Sequence, residues 1–369
     1  MSLVRPEVSN DLAMSLAKSL FGFSHISKLK ELESFSDRNF YIKGTRIHND
    51  QPGEFVLKVL NSLDSQEKEQ LDAEIKASEF LRERGFPCPE IFSVVGADDK
   101  MPHVKLADGS PREISKTAGC VVRLIAFLPG DVVDSLERNP ELMFTIGKLV
   151  GALSLQFKDF SHPGLKSRSE QNFRWDVLEI MNLEKYMVSL TDEYQIHLFR
   201  EVQESFVSKV KPKLGEFRRG AVHNDLSGEN LLVSKPPYTV TGVVDFGDTM
   251  ESVLISELSN AMAFFMKGDR GIEFSGYILA GYQSVFPLSR HELELLYYFV
   301  AARLTQIALH SQCNVIKQPD DKSMQACLNK YFSTIRSFWS RSKEDVEKIW
   351  HVCEEKLRNS IKNNQPLNK

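Results

Sequence analysis

The sequence has few cysteines and no arrangement of them that would staple a fold. Cys88, Cys120, Cys313, Cys327 and Cys353 are scattered, odd in number and never paired as C-x-x-C. That argues against a disulfide framework and a zinc site and points to a reduced, intracellular protein. Long apolar runs are also missing. The most apolar stretches, such as Val121–Leu128 and Ala261–Met266, fall well short of the roughly 20 residues a helix needs to span a bilayer. Met1–Asp11 carries Arg5, Glu7 and Asp11 and no apolar centre, so it does not read as a secretory signal. The expectation is a cytoplasmic protein with no membrane partner. A basic surplus is absent too: 46 Lys and Arg stand against 50 Asp and Glu, a net charge of −4. A duplex-binding domain shows the opposite balance, so no nucleic-acid partner is expected. Internal repeats are lacking.

What is present is core material. Hydrophobic residues make up 42% of the 369 positions, with 24 Phe, 9 Tyr and 3 Trp, which excludes disorder as the main state. The length suggests two or three units at about 150 residues each. Leu12, Leu16 and Leu20 recur at helical spacing behind Ser9 and Asn10, which predicts a helix over 9–22. Short strands are predicted at Leu29–Leu32 and Asn39–Ile42, and a stronger one at Phe55–Leu60. A long helix follows over 65–84, stopped by Gly85 and Pro87. Ile91–Val95 and Gly119–Phe127 read as strands around a polar hairpin loop, Ala97–Ala118. Beyond that, helices are predicted over 140–157, 175–189, 191–213, 252–267, 270–284, 289–310 and 321–358. They are interrupted by short strands at Leu231–Val233 and Thr241–Asp245. Only the tail, Asn359–Lys369, reads as disordered.

Chemistry concentrates in that interruption. His223-Asn224-Asp225 is followed five residues later by Asn230 and an apolar strand; Asp245-Phe246-Gly247-Asp248 comes fifteen residues after Asn230. Phosphoryl transfer from a nucleotide needs these residue types. One carboxylate, Asp225, lies beside the attacking hydroxyl, while an amide and a second carboxylate, Asn230 and Asp245, hold the Mg2+ that neutralises the phosphates. A hairpin ending in Asn230 and Asp245 permits both to reach one spot.

In these motifs the chain resembles the aminoglycoside phosphotransferase and choline kinase group, relatives of the protein kinases. The resemblance implies an α+β, two-lobed, protein-kinase-like fold. Residues 1–126 would be a small β-rich N-lobe with one long helix, and 127–369 a larger, mostly helical C-lobe. It also implies a strand lysine on the nucleotide phosphates, held by a helix glutamate. Lys58 in the apolar strand and Glu74 on the following helix fit, with Glu67, Glu69 and Glu79 as competitors. His223 would brace the catalytic loop. No glycine occurs between Gly22 and Gly44, so the Gly-rich loop of protein kinases is missing. In its place the turn Ser36, Asp37, Arg38 and Asn39 would cradle phosphates with backbone N–H groups. Backbone groups from Leu124 through Ala126 to Phe127 would read the purine.

Within the group the chain is similar to the hydroxylysine kinases, through Ser36–Phe40, Gly85–Pro87, Val122–Gly130, Ile146–Leu149, Asn172–Asp176 and Asp245–Asp248 with Glu257 and Met262. That likeness implies transfer of the γ-phosphate of GTP to the 5-hydroxyl of 5-hydroxy-L-lysine. Two departures are Asn224, where that family usually has Gly, and Gly228-Glu229, where it has an Asp-His pair. An acceptor with two ammonium groups and a carboxylate suggests Asp248, Glu251 and Glu257 for the ammonium groups, and Arg303, near Tyr297, Tyr298 and Phe299, for the carboxylate. Trp175 and Asp176 would line the same pocket. The alternatives are an ATP-dependent kinase of choline, ethanolamine or an aminoglycoside, and a silent nucleotide-binding scaffold. The missing Gly-rich loop and A-P-E motif count against a protein kinase. Oligomeric state is left open.

Overall fold

A computed structural model describes residues 5–34, 36–47, 49–107, 110–114, 119–187, 190–317 and 319–363. They form two compact units: Met1–Pro129 with Gly242–Gly247, and Gly130–Thr241 with Asp248–Lys369. The stretch 242–247, expected with the helical lobe, thus packs with the first unit, where Val243 N–H donates to Pro87 O at 3.0 Å.

The first unit opens with helix α1 (Asn10–Phe21), capped by the Ser9 hydroxyl, which accepts from Leu12 N–H. Strands β1 (Phe23–Leu32), β2 (Arg38–Arg46) and β3 (Asn49–Val59) follow, then helix α2 (Lys68–Glu83) and strands β4 (Ile91–Phe92), β5 (His103–Ala107), β6 (Ser110–Ile114) and β7 (Cys120–Ala126). The sheet runs β1-β2-β3-β7-β5-β6, with β4 also pairing β7. The expected polar loop over 97–118 is therefore partly a β5–β6 hairpin; 108–109 and 115–118 lie outside the described residues. Phe40, Leu57 and Leu124 align across β2, β3 and β7 and are buried in one core with Leu12, Leu16 and Leu20 of α1. Side chains alternate along a strand, so the adjacent row, Asn39, Lys58 and Arg123, faces the opposite side. This register is what positions the lysine.

The second unit contains β8 (Asp131–Val132), α3 (Pro140–Phe157), α4 (Pro163–Glu170), α5 (Glu184–Met187), α6 (Glu193–Lys209), β9 (Arg219–Val222) and β10 (Leu231–Val233). After β11 (Val240–Val243) come β12 (Met250–Val253), α7 (Ile255–Phe265), α8 (Gly271–Gln283), α9 (Arg290–Lys317), α10 (Lys322–Trp339) and α11 (Lys343–Asn363). Helices α3 and α8 pack at backbone distance: a Cβ on Gly147 would lie 2.1 Å from Ile278 O, and one on Gly281 2.3 Å from Phe144 O.

Several expected elements differ. The region 175–189 is a turn of 3-10 helix, Val177–Asn182, and the short α5; 188–189 lie outside the described residues. The single helix over 321–358 is two, α10 and α11. Met250–Val253, expected as helix, is β12, paired antiparallel with β9 from Met250↔Val222 to Val253↔Arg219. Of the tail expected as disordered, 359–363 continue α11, and 364–369 lie outside the described residues. Among the described residues no helix is long and apolar enough to cross a membrane.

Candidate active site

In the first unit, Lys58 Nζ lies 3.3 Å from Asp37 Oδ2 and 3.2 Å from Asp245 Oδ1. Burial alone pulls this ammonium down, but Asp245, Asp37 and Glu74 outweigh it and the pKa is raised. Lys58 is therefore a firmly held cation. Glu74 is not its dedicated clamp as expected. Its Oε2 accepts from Arg123 Nη1 at 2.8 Å in a buried ion pair, and Arg123 Nη2 donates to Leu71 O at 3.0 Å. Arg123 neighbours Lys58 across the β3–β7 pairing, and it was missed in the sequence. A charged residue in so apolar a strand was the signal, because it demands a buried partner.

The turn before β2 is held from within. Asp37 Oδ1 accepts from Asn61 N at 2.9 Å and Asn61 Nδ2 at 3.0 Å, and Asn61 Nδ2 reaches Ser36 Oγ at 3.5 Å. Arg38 is engaged within the unit: its Nη2 donates to Val8 O and Glu31 Oε2, both at 2.9 Å. Asn39 is part-buried in the lysine row, and its Oδ1 has no hydrogen-bond partner among the described residues. The expected purine contacts at Leu124 and Ala126 need correction. Leu124 pairs with Leu57 on one side and Phe92 on the other, and Ala126 N–H donates to Glu90 O at 2.8 Å. Leu124 thus has a strand on each side, whereas Ala126 pairs with Phe55 of β3 and spends its N–H on the residue before β4.

Asp245 adopts φ +62°, a left-handed conformation that non-glycine residues enter at a cost, commonly at functional loops. A Cβ on Gly247 would lie 3.2 Å from Asp245 Oδ1, so the glycine keeps space around this carboxylate.

In the second unit the loop from His223 to Asn230 follows β9. Asn230 Nδ2 donates to Asp225 O at 2.9 Å and to Asp225 Oδ2 at 2.7 Å. The amide nitrogen is thereby engaged, which leaves Oδ1 as the atom Asn230 could offer a metal. An amide oxygen and a carboxylate oxygen are the hard donors Mg2+ takes alongside phosphates, so Asn230 and Asp245 fit that ion by chemistry. His223 is buried, and its Nδ1 accepts from Asp225 N–H at 3.3 Å. The ring is thereby joined to the backbone of the loop two residues on.

Asn224 has φ +67°, a conformation Asn tolerates better than most residues. Its O accepts from Arg303 Nη2 at 2.8 Å and from Asn260 Nδ2 at 3.2 Å. Its Oδ1 accepts from Asn260 Nδ2 at 2.8 Å, and its Nδ2 donates to Trp175 O at 3.1 Å. The left-handed conformation is combined here with a side chain that ties the loop to Trp175. Asn260 was also missed. Its signal is its spacing, one turn after Glu257 in a helix otherwise made of apolar residues and two serines.

Three residues expected at the acceptor are instead internal braces. Glu257 is 0% exposed; it accepts from the N–H groups of His223 and, at 3.2 Å, Asn224. Burial raises its pKa to about 7 against those two donors and Arg303. Arg303 is 1% exposed, with Nη1 on Trp175 O at 2.7 Å and Nη2 on Asn224 O. Its Nε has no hydrogen-bond partner among the described residues, so what separates it from a substrate carboxylate is burial and not saturation. Asp176 is buried and caps the 3-10 turn through Leu178 N–H at 3.1 Å, while Ser252 Oγ donates to it at 3.0 Å; burial raises its pKa. All three charges lie where water does not reach, which explains why each has internal partners.

The remaining acceptor candidates are more accessible. Asp248 is part-exposed, 3.9 Å from Arg168 Nη1. Glu251 on β12 lies 4.0 Å from Arg219 Nε. Trp175 is half-buried, its ring edge-on to His310 at 4.5 Å. Burial lowers the His310 pKa to about 4, so this imidazole is neutral near pH 7.

The sequence pattern of the phosphotransferase enzyme family matches residues 28–296. Hydroxylysine kinase of Danio rerio is 28% identical over 360 residues, covering 96% of this chain and 98% of the relative. Hydroxylysine kinase of Bos taurus is also 28% identical over 360 residues, covering 95% and 94%. Among solved structures, an amicoumacin kinase in complex with AMP-PNP, Ca2+ and Ami superposes with a TM-score of 0.65 at 14% identity, covering 89% of this chain and 93% of that one.

Proposed function

The chain belongs to the phosphotransferase enzyme family and is a hydroxylysine kinase-like small-molecule phosphotransferase, and from that premise we propose that it transfers the γ-phosphate of GTP to the 5-hydroxyl of 5-hydroxy-L-lysine. The Asp225–Asn230 contact carries this reading: a part-exposed carboxylate is oriented by an amide whose oxygen remains for a metal. Similarity to hydroxylysine kinases along nearly the whole chain supports the choice of acceptor.

In this reading Asp225 orients the acceptor hydroxyl and takes its proton as the phosphoryl group moves. Lys58 meets the donor's phosphates as a permanent cation. Asn230 and Asp245 would be the residues that hold Mg2+, which would supply charge neutralisation. Backbone N–H groups of 36–38 cradle phosphate oxygens, Asn39 being paired with Leu32 and Lys58 on its two sides, and the purine is read by backbone beyond Ala126. Asp248 meets an acceptor ammonium, and Trp175 of the same unit lines the acceptor pocket. Catalysis is mainly positioning and electrostatic stabilisation.

One observation favours a second reading, an ATP-dependent kinase of an amino alcohol such as choline or ethanolamine. Arg303, the expected carboxylate partner, is engaged by two backbone carbonyls. A panel of 5-hydroxylysine, choline, ethanolamine and an aminoglycoside, each with GTP and with ATP, tests both readings. Transfer to 5-hydroxylysine from GTP is the expected result. Transfer only to acceptors without a carboxylate would replace it with the second reading, and binding of nucleotide without transfer would leave a scaffold.

A further inference from the structure

We propose that Asp37, and not Glu74, is the carboxylate that positions Lys58. This rests on the reading of Lys58 as the phosphate-binding lysine.

Lys58 and Arg123 are cross-strand neighbours on β3 and β7. Two cations side by side on one face of a sheet repel each other and compete for carboxylates. Glu74 is taken by Arg123. The side chains are 9% and 8% exposed, and Arg123 is fastened to α2 a second time through Leu71 O. Turning Glu74 toward Lys58 would leave a buried guanidinium short of a counter-charge, the costly half of a broken buried pair.

Asp37 has the opposite arrangement. One oxygen is saturated by the backbone and side-chain N–H groups of Asn61, and the other is aimed at Lys58 Nζ. Asn61 is itself immobilised: it is fully buried, and its Oδ1 accepts from Leu63 N at 3.0 Å and Asp64 N at 3.1 Å. The result is a rigid clip. The end of β3 holds Asn61, Asn61 holds Asp37, and Asp37 holds the lysine in its own strand. Asp245 reaches Lys58 as well, but its side chain is 48% exposed against 10% for Asp37, and as a metal ligand it gives up charge to the cation. Asp37 is thus a positioning residue, although its place in the turn suggests direct phosphate contact.

The test compares the full chain with K58A, D37N, E74Q and the double variant E74Q/R123M. The readouts are kcat, calorimetric affinity for GTP and for guanosine, and thermal midpoint. D37N is expected to lose about 100-fold in kcat, the scale of a misplaced catalytic group, and to bind GTP more weakly. Its affinity for guanosine, which has no phosphates, should equal that of the parent; a general structural defect would lower both. E74Q should lose thermal stability, and E74Q/R123M should recover both stability and kcat because no buried charge is left unpaired. If K58A loses activity while D37N turns over like the parent, or if E74Q/R123M stays as slow as K58A, Asp37 is not the positioning carboxylate and the reading of Lys58 stands. If K58A binds GTP and turns over normally, the reading of Lys58 itself fails and the role of Asp37 fails with it.

Discussion

Asn230 donates its side-chain amide to the Asp225 carboxylate at 2.7 Å. One hydrogen bond therefore couples the group proposed to orient the acceptor hydroxyl to the group proposed to hold the metal. It fixes the rotamer of Asp225 and sets which end of Asn230 is left for Mg2+.

Removing that amide should disturb both functions. Asn230→Ala is expected to raise the Mg2+ concentration for half-maximal turnover by at least about tenfold and to lower kcat. A Mg2+ titration of initial rates measures both. An unchanged Mg2+ dependence would separate Asn230 from the metal.

Glu257 predicts a pH dependence with two opposite slopes. Its folded pKa, about 7, is raised above the ordinary 4.5, so the folded chain holds the proton more tightly than the unfolded one. That contribution, about 3 kcal/mol for a shift of this size, is fully present below pH 4.5 and is lost as pH rises to about 7. The ionised form, however, is the one whose two oxygens both accept N–H groups of the catalytic loop. Activity should therefore rise with pH toward 7 while this group's stabilising contribution falls. In Glu257→Gln the amide nitrogen faces a backbone donor, so kcat should drop at every pH and the limb near 7 should vanish. A rate profile of the variant that keeps that limb would assign it to another group.

Arg303→Lys keeps the charge and loses the fork that spans Trp175 O and Asn224 O. Losing one charge-assisted hydrogen bond in a buried site should cost about 2–3 kcal/mol, read as a lower urea midpoint, together with a lower kcat. The acceptor KM should barely change. A large rise in KM with stability intact would restore Arg303 as a carboxylate ligand.

Asp248 is the accessible carboxylate of the second unit that follows the metal loop. Asp248→Asn should raise KM for a cationic acceptor about threefold to fivefold, the worth of a part-exposed ion pair, with the nucleotide KM unchanged. Steady-state kinetics with each substrate varied in turn would reveal an effect on the nucleotide instead.

The loop from His223 to Asn230 was legible because its chemistry resides in residue types at short spacing. Lys58 was legible as an isolated charge in an apolar strand, and α1 through its leucine period and serine cap. Glu257 and Arg303 were misread because the character of a buried brace does not show in local sequence. Only the fold reveals that Glu257 lies under two backbone N–H groups and that Arg303 reaches carbonyls of Trp175 and Asn224 far away in the chain. Strand β12 was hidden for a related reason: four residues carry no usable alternation, and its partner β9 lies about thirty residues away. The break between α10 and α11 was readable. Ser342 Oγ accepts from Asp345 N–H at 3.1 Å and donates to its carboxylate at 2.7 Å, a helix start of the S-x-x-D kind.

The account stands or falls on Asp225. Turnover and nucleotide affinity of Asp225→Asn, measured beside the parent with GTP, Mg2+ and 5-hydroxylysine, test it most directly. The variant should lose on the order of 1,000-fold in kcat, the scale of a missing general base, while binding GTP about as well as the parent. Turnover at the parent's rate would contradict the assignment of phosphoryl transfer to this loop.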